Sequence, residues 1–296
     1  METNRRLPFT QFDVFTSRAL EGNPLAVFPD GRGLSDDEMQ AIAREMNLSE
    51  TTFVLPRDQA IEKERGVRVR IFTVQEELPF AGHPTLGTAF ALRGNTSAPE
   101  IRLELNVGTI QVHFENKDGQ LPFGEMKQNE PVLGEIHDRK KIAEVTGIPL
   151  DHIDAQLPTQ TVSTGVPFAI LPIRGLKEIG SLAINQAKAA EYLSTREAKF
   201  FFCVTRETVD PNARLHARML FYNGEDPATG SASGCAAAWM VKHGVAQSDE
   251  RVLIEQGVEM KRPSKIFVRA SRSNDRVVNV RVGGNVVEVL RGEIFF

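Results

Sequence analysis

Cysteine is nearly absent from this sequence, with two in 296 residues, at positions 203 and 235. That excludes a disulfide framework, and the pair lacks the spacing of a metal site. The six histidines, at 83, 113, 137, 152, 216 and 243, form no HxH or HxxxH pair and keep no cysteine company, so no zinc site is indicated. A basic surplus is missing too: 35 Lys and Arg against 39 Asp and Glu leave a net charge of -4, and no basic stripe interleaved with aromatics offers itself to nucleic acid. No window approaches the roughly 18 continuous apolar residues of a membrane span. The opening METNRRLPFTQFDVF lacks the apolar centre of a secretion signal. The expectation is a cytoplasmic protein with neither nucleic-acid nor membrane partners.

What is present is a repeat. Arg70 to Leu92, RIFTVQEELPFAGHPTLGTAFAL, and Arg218 to Met240, RMLFYNGEDPATGSASGCAAAWM, superpose without a gap at an offset of 148. Arg70 meets Arg218, Glu77 meets Glu225, Pro79 meets Pro227, Gly82 meets Gly230 and Ala89 meets Ala237. Strand, turn and helix is common grammar, so five identities alone could be chance. A second match argues otherwise: GNPLAVFP from Gly22 and GVPFAILP from Gly165 recur at an offset of 143. Two segments in the same order with nearly the same shift point to duplication and two similar lobes.

The length agrees, since lobes of about 150 residues can each bury a core. Strands are predicted over Phe9–Phe15, Leu25–Phe28, Thr51–Leu55, Val67–Val74, Phe168–Leu171, Phe200–Thr205 and Leu215–Tyr222. A hairpin is predicted at Glu100–Val107 and Thr109–Phe114, and several antiparallel strands over Val252–Phe296. Helices are predicted over Leu34–Met46 behind a Ser35 cap, over Arg139–Thr146 and over Asn185–Leu193. Each repeated stretch reads as a strand, a Pro/Gly turn and a small-residue helix. The polar segment from Asn116 to Pro131 marks the boundary, giving lobes 1–122 and 123–296, with the last strand free to return to the first lobe. The fold class is α+β: two pseudo-symmetric, strand-rich lobes, each a barrel-like sheet around a central helix, not a doubly wound parallel sheet.

The two helix starts are the candidate site. Gly82 lets the backbone approach a ligand, and Pro84 suits a first turn where its missing N–H is unneeded. Gly230 and Ser231 offer the same at the second start, five residues after Asp226. Uncapped N–H groups and the positive dipole end of a helix attract an anion such as a carboxylate. If the lobes are related by a pseudo-twofold axis, both starts can face one cleft. The plainer alternative is that Gly82 and Gly230 only permit tight turns, with His83 and Ser231 as caps and Asp226 as a solvated turn residue. Glu50 stands at the junction of a helix and a strand, where scaffold holds a side chain from both sides.

On three segments the chain resembles the PhzF-like, or phenazine biosynthesis-like, isomerase family: NLSETTFV (47–54), AGHPTLGTAFAL (81–92) and GEDPATGSASG (224–234). DVFTSRALEGNPLAVF fits its opening pattern, and the similarity runs from about residue 8 to the end. The resemblance implies the diaminopimelate epimerase and proline racemase fold, with a homodimer expected. It implies Glu50 as the acid/base that takes a proton from one carbon and returns one at another. His83 and Asp226 match the other polar catalytic positions, and Gly82 and Ser231 match groups that hold or protonate the substrate. Gly230 joins them as substrate-binding backbone. Neither cysteine stands at a helix start, which argues against a two-thiol racemase.

The chemistry is coherent. A carboxylate removes a carbon-bound proton only if the developing charge is stabilised and water excluded. Such a transfer requires no cofactor. TGSASG lacks the GxGxxG spacing and GSASG misses the GxSxG elbow by one position. The expected partner is a small carboxylate, cyclic or amino-bearing. An amino-acid epimerase and a non-catalytic metabolite-binding protein remain the alternatives.

Overall fold

The computed structural model describes residues 5–116, 118–119, 121–221 and 224–296, so Tyr222 and Asn223 of the second repeat and the first four residues of the N-terminal reading lie outside the described residues. The chain divides into two compact units, Met1–Met126 with Gly283–Phe296, and Lys127–Val282. The sequence reading divides it between 122 and 123.

The first unit contains β1 (Arg6–Val14), β2 (Asn23–Phe28), β3 (Glu50–Leu55), β4 (Val67–Phe72), β5 (Glu77–Leu78), β6 (Glu100–Leu105), β7 (Gly108–Glu115) and most of β8 (Phe123–Lys127). Its helices are α1 (Asp36–Met46), α2 (Gln59–Arg65) and α3 (Gly82–Arg93). β4 shows why these runs are strands: in VRVRIF, Val69 and Ile71 point inward while Arg68 and Arg70 do not. Helix α1 is fixed at both ends. Ser35 and Glu38 form a reciprocal capping box, and Asn47 closes the helix in the left-handed region at φ 49°. Its buried Met39, Ile42 and Ala43 pack with Phe28, Phe53 and Phe72.

The second unit contains β9 (Val132–Ile136), β10 (Gln160–Ser163), β11 (Pro167–Pro172), β12 (Phe200–Thr205), β13 (Ala213–Phe221), β14 (Gly224–Asp226), β15 (Val252–Gln256), β16 (Ser264–Ser273) and most of β17 (Arg276–Gly284). Its helices are α4 (Arg139–Thr146), α5 (Leu176–Gly180), α6 (Gln186–Ser194) and α7 (Gly230–Lys242), and its core joins α4 and α6 to β11 and β12. The last strand, β18 (Val286–Phe295), belongs to the first unit and pairs antiparallel with β1, Arg6 opposite Phe295.

The ladders repeat. In the first unit, β1–β2, β2–β3, β3–β4, β4–β6 and β6–β7 run antiparallel, parallel, antiparallel, parallel, antiparallel. In the second, β10–β11, β11–β12, β12–β13, β13–β15 and β15–β16 run in the same succession. Register repeats as well: Phe72 lies opposite Glu77 and Leu220 opposite Glu225. Arg70 Nε and Nη2 bind the two carboxylate oxygens of Glu77 at 2.8 and 2.5 Å, and Arg218 binds Glu225 in the same bidentate way at 2.9 and 2.7 Å. The identities seen in sequence are thus one structural clip used twice, tying a strand to the turn that launches a helix.

Each of those helices is the buried axis of its unit. Nine of the twelve residues of α3 and eleven of the thirteen of α7 are buried, which accounts for their small residues and lack of a polar face. The α+β class and the strand-rich architecture around two central helices are as expected. Five further short elements, α2, α5, β8, β9 and β10, fall where no element is predicted, and β5 and β14 lie inside the predicted turns.

Candidate active site

In the first unit the site grows from three places in the chain. Glu50 opens β3, just after α1, and pairs with Leu25 of β2 alongside. His83 is the second residue of α3, and Asn23 opens β2. These three side chains meet. His83 Nε2 lies 3.5 Å from Glu50 Oε2, and its Nδ1 lies 3.3 Å from Asn23 Nδ2. The Pro24 carbonyl also faces the ring. The Glu50 side chain is 16% exposed and that of His83 5%. Burial pushes the His83 pKa down to about 3, against a smaller opposing effect of the Pro24 carbonyl. The ring is therefore neutral near pH 7, and its contact with Glu50 is that of a polar neutral group with a carboxyl, not an ion pair. A neutral imidazole can donate or accept one hydrogen bond to a reacting atom without carrying charge into the site.

The second unit carries Asp226, Gly230 and Ser231. Asp226 ends β14, and Thr229, at the cap position of α7, turns its hydroxyl away from the helix and donates to Asp226 Oδ2 at 2.6 Å. Ser231 is partly exposed in the first turn, and Gly230 is buried. No N-cap side chain caps α3 or α7, nor the short α2 and α5, whereas Ser35, Asp138 and Asn185 cap α1, α4 and α6. Among the longer helices, α3 and α7 thus keep backbone donors of their first turn off any N-cap side chain, as anion recognition requires.

Register between the repeats shows how the units differ. Leu25 and Phe168 are equivalent, and they face Glu50 and Phe200 respectively. The second unit therefore bears a phenylalanine where the first bears its carboxylate. By the offset of 148, Ser231 stands for His83, and Leu78 for Asp226. The cysteines take no such place. Cys203 and Cys235 are buried, and burial raises their pKa values to about 12 and about 11, which keeps both thiols protonated. Among the described residues no cluster of His, Cys, Asp or Glu could hold a metal ion, and no helix is long and apolar enough to cross a membrane.

The sequence reading did not select Asn23 or Thr229. Asn23 sits in the GNP segment, read only as a turn, and Thr229 in the DPATGS segment. Nothing local marks either, because each is defined by a partner that folding supplies.

Comparison with known proteins gives the site its context. The phenazine biosynthesis-like protein family matches residues 12–292. The trans-2,3-dihydro-3-hydroxyanthranilate isomerase of Pseudomonas chlororaphis is 38% identical over 287 residues, covering 95% of this chain and 97% of its own. A solved structure of a predicted epimerase from Pseudomonas aeruginosa is 34% identical with a TM-score of 0.82, covering 97% of this chain and 99% of its own. The Bacillus anthracis phenazine biosynthesis protein of the PhzF family shares the fold with a TM-score of 0.88 at 24% identity, over 99% of this chain and all of its own.

Proposed function

The chain belongs to the phenazine biosynthesis-like protein family and is an isomerase, and from this we propose that it moves a proton between two carbons of a small carboxylic acid, without a cofactor, using Glu50 as the shuttling base. The observation that carries the proposal is the contact of Glu50 with a neutral, buried His83 whose ring is anchored by Asn23. A carboxylate beside a fixed polar group can take a carbon-bound proton and return one elsewhere while the substrate keeps its oxidation state, so no electron carrier enters the balance. In the second unit we assign Gly230, at the uncapped start of α7, to holding a carboxylate, and Ser231 and Asp226 to hydrogen-bonding it. Gly82 contributes the equivalent backbone donors at α3. By register, Phe200 in the second unit stands where Glu50 stands in the first.

The relative from Pseudomonas chlororaphis makes trans-2,3-dihydro-3-hydroxyanthranilate, a cyclic amino acid, the substrate to try first. Incubation in heavy water should place deuterium at a new carbon of the product. Glu50→Gln should stop that incorporation while leaving the fold intact, and full activity in the variant would end the proposal. The likeness to a predicted epimerase favours a second reading, inversion at one carbon. Deuterium confined to a single α-carbon, with loss of optical purity, would select it. A two-thiol form of that reaction is disfavoured because both thiols are buried and held protonated.

A further inference from the structure

Gln256, the last residue of β15, is fully buried, yet its amide makes three hydrogen bonds to the turn that launches α7. Oε1 accepts from the Thr229 backbone N–H at 3.0 Å, while Nε2 donates to the Asp226 carbonyl at 2.7 Å and to Thr229 Oγ1 at 2.9 Å. The backbone N–H can only donate and the carbonyl can only accept, so the amide fits only one way round. With Nε2 donating to the Thr229 oxygen, that hydroxyl's own proton is directed at Asp226 Oδ2, 2.6 Å away. A relay of fixed direction results, from Gln256 through Thr229 to Asp226.

The surroundings stiffen the same turn. Gly257 has φ +75° and lies so close that a Cβ there would stand 2.6 Å from the Pro227 carbonyl, and Ser264 Oγ donates to that carbonyl at 2.8 Å. The repeated fold itself does not call for an amide here. Arg68 pairs with Glu104 in the first unit as His216 pairs with Glu255 in the second, so the counterpart of Gln256 is Leu105.

We propose that Gln256 is a positioning residue that orients the Asp226 carboxylate through the Thr229 hydroxyl. The inference rests on the reading of Asp226 as a site residue. Gln256→Glu keeps the shape but puts an acceptor against Oγ1, which turns the hydroxyl proton away from Asp226. Thr229→Val removes the hydroxyl and Thr229→Ser retains it.

The experiment follows kcat and KM on trans-2,3-dihydro-3-hydroxyanthranilate together with amide hydrogen exchange over residues 224–233, with Glu50→Gln alongside. Gln256→Glu should lower kcat on the order of 30-fold with KM within about threefold, as expected of a group felt mainly in the transition state. Exchange over the turn should quicken. Thr229→Val should match it, Thr229→Ser should retain most of the rate and the parental exchange, and the double variant Gln256→Glu/Thr229→Val should be no slower than either single one. Parental kcat and exchange in Gln256→Glu, or losses that multiply in the double variant, would overturn the assignment. Undiminished turnover in Glu50→Gln, or no turnover of this substrate by the parent, would count against the functional reading alone. The exchange pattern then decides the positioning role: quickened in Gln256→Glu and Thr229→Val but not Thr229→Ser supports it, and unchanged in all three refutes it.

Discussion

His216 should make the protein's stability fall as pH rises through the neutral and mildly alkaline range. Its ring is fully buried on β13, with Nδ1 2.8 Å from Glu255 Oε1 and Nε2 3.0 Å from Glu259 Oε1. Arg218 and Glu225 complete the charged group, Arg218 Nε standing 3.9 Å from Glu259 Oε2. Burial by itself would lower the histidine pKa, but the two carboxylates override it and raise the value to about 9 from an ordinary 6.5. At about 1.36 kcal/mol per pH unit the interval is worth roughly 3 kcal/mol. The folded-state value lies above the unfolded one, so this contribution is complete below about pH 6.5 and is lost as pH climbs to about 9. His216→Gln leaves Glu255 and Glu259 without the cation between them, and at pH 6 it should cost about 3–5 kcal/mol, the usual penalty for breaking a buried pair. Urea unfolding of parent and variant from pH 6 to 9 is the assay. The two stabilities should converge as pH rises, because the parent loses what the variant never had. Cys203 and Cys235 titrate similarly in both proteins and cancel in the difference. Parallel profiles, or a gap that widens toward pH 9, would refute the reasoning.

Other expectations follow from the same kind of argument. The His83 ring nitrogens should hold the neutral NMR signature from pH 8 down to about 4.5, since burial lowers the pKa to about 3. Because the unfolded ring takes up a proton near 6.5, this group's contribution is complete above that pH and is lost as pH falls; a titration midpoint near 6 would contradict its burial. Gly87→Ala sets a Cβ 2.5 Å from Leu25 Cδ2 and 2.8 Å from Val14 Cγ2, so overpacking of about 1–3 kcal/mol should outweigh the gain in helix propensity, and an unchanged urea midpoint would be the failing result. Arg218→Lys gives up both the bidentate bond to Glu225 and the bond to the Ile179 carbonyl, for a loss of roughly 2 kcal/mol or more; calorimetry showing parental stability would overturn that.

The sequence disclosed most where one residue's chemistry answers its neighbour's. Ser35 and the apolar spacing behind it announce α1, and the structure adds Glu38 to complete a capping box within four residues. The Arg–Glu clip is legible because duplication preserved it at one spacing, and Glu50, His83 and Asp226 stand in segments whose family resemblance covers nearly the whole chain. Helix α2 escaped notice because none of its residues is buried, so no apolar stripe marks it. The two-residue β5 and the three-residue β14 are too short for alternation to register. Strand β8 looks like linker because of Pro122 and Gly124. Yet that glycine is needed where it is, since a Cβ would press on Phe90 and Leu86 at 2.6 and 2.9 Å. Asn23 and Gln256 were beyond reach for a common reason: their partners lie 60 residues away in one case and 27 to 30 in the other.

The pairing of the first strand with the last has a consequence for how the protein is made. Arg6 through Val14 find their partners in Val286 through Phe295, so during translation the N-terminal unit keeps an unfinished edge until residues 286–295 have been made. The ladder from β9 to β16, by contrast, forms among residues 132–273 on one continuous stretch of chain and can settle while synthesis continues. Glu50 and His83 therefore lie in the half whose first strand waits longest for its partner, and a chain that loses residues 286–295 forfeits that partner.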